Sequence, residues 1–79
     1  MKDVNKMIVI TIDEAISLKT PVSVVTSDGI YYTGKIKCIG YSSHDDESHY
    51  EVINDEGQRI FTFGSWSECS HRIIIYKDL

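Results

Sequence analysis

The run Pro21-Val-Ser-Val-Val-Thr-Ser-Asp-Gly-Ile-Tyr-Tyr-Thr-Gly-Lys-Ile-Lys-Cys38 places two apolar strand patterns around Asp28-Gly29, and a second glycine, Gly34, follows five positions later. An Asp-Gly pair between alternating apolar residues marks a hairpin, because glycine accepts the positive φ that a tight turn requires. Gly34 needs another reason. Within a strand, glycine marks a bulge, a bend or a close backbone approach, and a short sheet needs such a point to curl on itself. The chain therefore reads as mostly β, a small barrel built on this hairpin.

Around that hairpin the remaining elements follow from local signals. Met7-Ile-Val-Ile-Thr11 is a β-branched run, and Thr11-Ile-Asp-Glu14 has the spacing of a capping box, with Thr11 capping and Glu14 reaching back. A short helix starting at Ile12 is predicted, with Ile12, Ala15 and Ile16 on one face, and Pro21 ends it. Two turns of helix cannot stand alone in water, so this one must dock on the sheet. The hairpin supplies strands over 22–27 and 30–42. Alternation puts Tyr32, Gly34, Ile36 and Cys38 on its core face and Tyr31, Thr33, Lys35, Lys37 and Tyr41 on the other. Residues 42–49, Ser-Ser-His-Asp-Asp-Glu-Ser-His, read as an exposed, mobile acidic loop. Strands over 50–54 and 58–63 flank Asp55-Glu56-Gly57, where glycine closes a hairpin with a bulge. Ser65 to Glu68 has a second capping spacing, and Arg72-Ile-Ile-Ile-Tyr76 is the closing strand. Residues 1–20 thus form an N-terminal strand and helix, and 21–79 the barrel, in one domain.

At 79 residues the core is adequate but thin, and an interior catalytic cleft would be hard to fit. The net charge of −4 and pI near 5.1 repel phosphate backbones and argue against a dedicated duplex binder. The start, Met1-Lys2-Asp3-Val4-Asn5-Lys6, is charged, and the apolar stretch after it is too short for a signal peptide or membrane span. A soluble cytoplasmic protein with no membrane partner is expected. Cys38 and Cys69 lack a Cys-x-x-Cys pattern and read as reduced, buried filler.

The residues Gly29-x-x-Tyr32-x-Gly34-x-Ile36-Lys37, preceded by Val22-x-Val24 and a helix, resemble the first motif of the Sm-like small barrels. The resemblance covers 12–37 by residue and the rest by strand order. It implies a five-stranded Sm-like or Src-homology-like barrel with a short N-terminal helix, and homo-oligomers formed through strand edges. The strand at residues 7–11 is the alternative occupant of one such edge. The family's RNA binders continue with an aspartate and a Met-Asn pair that build a nucleotide pocket. This chain has Ile39-Gly-Tyr-Ser-Ser-His there, and Ile73 follows Arg72 where the second motif has Arg-Gly.

No set of residues carries a catalytic framing, so no enzyme, cofactor or metal is expected. His44, His49, Cys69 and His71 are metal-ligand types, but their spacing matches no established zinc pattern. The residues that do suggest function are charged and aromatic. Asp45, Asp46, Glu47, Glu51, Asp55 and Glu56 give the barrel an acidic edge, which keeps it soluble and can meet a basic partner. Our first reading is a non-enzymatic protein-interaction module, regulatory or inhibitory, acting through that edge. The alternative is an Sm-like RNA-binding oligomer that uses the basic and aromatic mix of Tyr31, Lys35, Lys37, Tyr41 and Arg72.

Overall fold

Residues 6–78 are described by a computed structural model; the charged start at 1–5 lies outside it. The elements run β1 (Met7–Ile10), α1 (Ile12–Ser17), β2 (Val22–Thr26), β3 (Tyr31–Ser42), β4 (Glu47–Ile53), β5 (Arg59–Gly64), α2 (Ser65–Cys69) and β6 (Ile73–Asp78). All strand pairs are antiparallel, in the order β1-β6-β2-β3-β4-β5. The fold is mostly β, as expected, but among the described residues the sheet has six strands and is not closed. β1 pairs with β6 in the register Met7↔Asp78 to Ile10↔Ile75, so the N-terminal strand occupies the outer edge of the closing strand. The edges of the sheet are then β1 and β5.

The two glycine hairpins are built alike. Thr26 N–H donates to Ile30 O at 3.0 Å and Gly29 N–H to Thr26 O at 2.9 Å; Asn54 N–H donates to Gln58 O and Gly57 N–H to Asn54 O, both at 3.0 Å. Gly29 and Gly57 take φ of +86° and +80°. The third hairpin corrects the expected long loop: β3 runs to Ser42, β4 starts at Glu47, and only 43–46 turn. Asp46, at φ +53°, takes the left-handed position there, which aspartate tolerates better than most residues.

β3 is shared in succession. It pairs with β2 over Tyr31 to Gly34 and with β4 from Lys35 onward, so the sheet bends where Gly34 sits. A Cβ at Gly34 would overlap the carbonyl of Ile53 and lie 3.1 Å from Val52 Cγ1. The bend folds the inner faces together: Tyr32 stacks on Phe61 with centroids 4.2 Å apart, and Phe63 lies 6.1 Å from Phe61 and 5.5 Å from Tyr50. The core combines these rings with Ile10, Val22, Val24, Ile36, Val52, Ile73 and Ile75, and Ile12 and Ala15 of α1 close one end.

Tyr41 departs from the expected alternation because of a bulge. The β3–β4 register shifts between Cys38 and Gly40, leaving Ile39 as an extra, exposed residue. Such a bulge reverses the side to which later residues point. Gly40 pairs with His49 on the outer face and Tyr41 with Ser48 on the inner one, the opposite face from Lys35 and Lys37. Cys38 precedes the bulge and pairs with Tyr50, but it is exposed rather than buried filler, as is Cys69, and both are free.

The capping scheme is part local and part tertiary. Glu14 N–H does donate to Thr11 Oγ1 at 3.2 Å, but the Glu14 carboxylate pairs with Lys77 Nζ at 2.8 Å instead of reaching back. Ile12 N–H donates to Glu68 Oε2 at 2.9 Å, so α2 caps α1 from 56 residues away. Ser65 does not cap α2, whose N-cap is Gly64. At its other end Arg72 N–H donates to Ser67 O and His71 N–H to Glu68 O, with His71 left-handed at φ +60°, which is a Schellman motif. Glu68→Ala is expected to cost about 1–2 kcal/mol in urea unfolding, the range for a lost charged cap, and Glu68→Gln to recover most of it.

Candidate functional site

The six acidic residues fall at three places. Asp45 and Asp46 sit in the β3–β4 turn, Asp55 and Glu56 in the β4–β5 turn, and the seven residues of β4 hold the two turns roughly 20 Å apart. Glu51 lies between them on the outer face, cross-strand from Lys37, and accepts from Arg59 Nε at 2.6 Å. Its charge is spent within the sheet. Glu47, with a side chain 15 % exposed, accepts the Trp66 N–H at 3.0 Å. The helix N-terminus attracts a carboxylate there. Gly64 makes this possible, since a Cβ at that position would overlap the Glu47 carboxylate. No continuous acidic edge results.

What does come together is the 43–46 turn and two aromatic side chains. Tyr41 is 61 % exposed and its phenol donates to the Asp46 carboxylate. That bond, with desolvation and the charge of Asp45, holds the phenol pKa above its ordinary value of 10.0. Trp66, 55 % exposed, donates its indole N–H to the Asp45 carbonyl at 3.4 Å. Beside it an open depression is lined by Glu47, Gly64, Trp66, Ser67, Cys69 and Arg72. The turn was expected to be mobile, yet side chains from β3 and α2 bond its last two residues, Asp46 and Asp45.

The alternative basic and aromatic set does not assemble. Tyr31, Lys35 and Lys37 share the outer face of β3, Tyr41 is on the other side of the sheet, and Arg72 stands just before β6. Lys37 also faces the carboxylate of Glu51 across the strands.

Among the metal-ligand types, His44, Cys69 and His71 do not cluster with His49. Asp45 and Glu47 do: their ligand atoms and one from His49 all lie within 4.8 Å of one another. The signal in the sequence is the alternation Asp45-x-Glu47-x-His49, legible only once β4 is known to start at Glu47. The outer face also carries apolar surface that composition did not reveal, with Val9, Tyr31 and Ile74 exposed.

No helix among the described residues is long and apolar enough to cross a membrane. Comparison with known proteins gave no match, whether to a family model, a curated protein or a solved structure.

Proposed function

We propose that the chain is a non-enzymatic protein-binding module, regulatory in role, whose contact surface is the β3–β4 turn, and that its partner presents a basic segment. One observation carries this reading: Asp45 and Asp46 are framed by two exposed aromatics, Tyr41 and Trp66, each hydrogen-bonded to the turn. Tryptophan, tyrosine and a few surrounding charges are the usual composition of binding hot spots, and a turn already held in place loses little entropy on docking. The acids steer a basic partner to it. The net charge of −4 favours a protein over a phosphate backbone as that partner.

The run β6-β2-β3-β4-β5 preceded by a helix is compatible with the Sm-like resemblance. Self-association through strand edges would have to use β1 or β5, and light scattering at low and high salt reads it directly.

Proteins captured by the wild type are to be compared with those captured by Asp45→Asn/Asp46→Asn, Trp66→Ala and Lys35→Glu/Lys37→Glu, alongside RNA binding at two salt concentrations. The expected result is a basic protein retained by the wild type and the lysine variant and lost, by at least about tenfold, from the other two. RNA uptake that falls with salt and disappears in Lys35→Glu/Lys37→Glu would replace this reading with the RNA-binding one.

A further inference from the structure

We propose that Asp45, Glu47 and His49 form a binding site for one divalent transition-metal ion of the zinc class. In a strand, residues two apart point to the same face, so Glu47 and His49 project together from the outer side of β4. The turn that precedes them brings in Asp45. Glu47 Oε1 and His49 Nε2 face each other at 3.8 Å, too long for a hydrogen bond. The three ligand atoms lie within 4.8 Å of one another. Donors about 2.0–2.1 Å from a tetrahedral zinc ion sit roughly 3.3 Å apart, so small rotations of the exposed Asp45 and half-buried His49 side chains complete the set.

Two features distinguish this group from an ordinary patch of surface acid. It includes an imidazole, a ligand that favours zinc, nickel or copper over calcium and magnesium, which prefer oxygen alone. The central carboxylate is also preset: Glu47 Oε2 is held by the Trp66 N–H, leaving Oε1 turned toward His49. Hydrogen bonding of a ligating carboxylate by its second oxygen is how proteins orient metal ligands. Among the described residues no lysine or arginine is within ion-pair distance of Asp45 or Glu47, so their charges are available to a cation. Three protein ligands leave a fourth position open to water or to a donor from a bound partner.

The site stands independently of the protein-binding reading, because titration with metal needs no partner. Untagged protein is to be titrated with Zn²⁺ by calorimetry in excess Mg²⁺, and with Co²⁺ while the fluorescence of Trp66, the chain's one tryptophan, is followed. Expected are one equivalent of Zn²⁺ bound, Co²⁺ quenching with the same stoichiometry, affinity at least about tenfold weaker in His49→Ala and in Asp45→Asn, and no change in His44→Ala. Both weakened variants alter exposed or half-buried side chains, and their melting temperatures check that they fold. Absence of saturable binding, binding that survives His49→Ala, or an equal loss in His44→Ala would overturn the site.

Discussion

Replacing Gly34 by alanine is expected to destabilise the fold by about 3 kcal/mol, the upper range for forcing an extra group into a packed interior. The midpoint of urea unfolding reads it. A Cβ at this position would run into the backbone carbonyl of Ile53, which is fixed in the β3–β4 ladder where Lys35 pairs with Ile53, so the obstacle cannot swing aside as a side chain would. A domain of this size has only about 5–15 kcal/mol of stability to lose. Gly40 is the internal control. It lies in the same strand, has no atom within 4 Å of its notional Cβ and no positive φ, so Gly40→Ala should change stability by less than about 0.5 kcal/mol. Equal effects from the two substitutions would show that the close approach at Gly34 is not what bends the sheet.

A comparable loss, about 2–5 kcal/mol, is expected for Ile75→Ala. Ile75 is 2 % exposed and pairs with Ile10 of β1 on one side and Val24 of β2 on the other, at the point where three strands meet the core. Truncation leaves a cavity that the paired backbones cannot close. Its neighbour Ile74 faces outward and is 40 % exposed, so Ile74→Ala should cost less than about 1 kcal/mol. The contrast within Ile73-Ile74-Ile75, measured by chemical denaturation, tests the inward register of β6 without any knowledge of function. Loss of the same size at both positions would mean that another surface covers the outer face.

Local chemistry was legible wherever its cause was local. Asp28-Gly29 and Gly57 announced their hairpins because positive φ at a tight turn is a property of the residue itself. Thr11 announced the start of α1 because its hydroxyl needs only the amide three residues on. Gly34 could be read as a bend, since few other reasons put glycine inside so apolar a strand. Legibility ended at Ile39. Nothing in Cys38-Ile-Gly-Tyr41 marks which residue is the bulge, and that one residue moved Tyr41 away from Lys35 and Lys37. The candidate site was lost to sequence reading in the same region: the acids at 45–56 look contiguous on paper, yet β4 separates its two turns by its own length.

The amino-acid sequence alone determined the mostly-β composition, the glycine turns and the helix at Ile12, because each depends on φ preferences, hydrogen bonds or alternation within a few residues. Tertiary structure decided what those elements do with distant partners. It paired Glu51 with Arg59, set one oxygen of Glu47 on the Trp66 amide, sent Glu68 to cap α1, seated β1 on β6 and fastened the 43–46 turn to Tyr41 and Trp66. A carboxylate has the same chemistry at every position in the chain. Whether it is capped, paired or left facing solvent depends on which donors the fold brings within about 3 Å of it, and that distance is not encoded in its neighbours along the sequence.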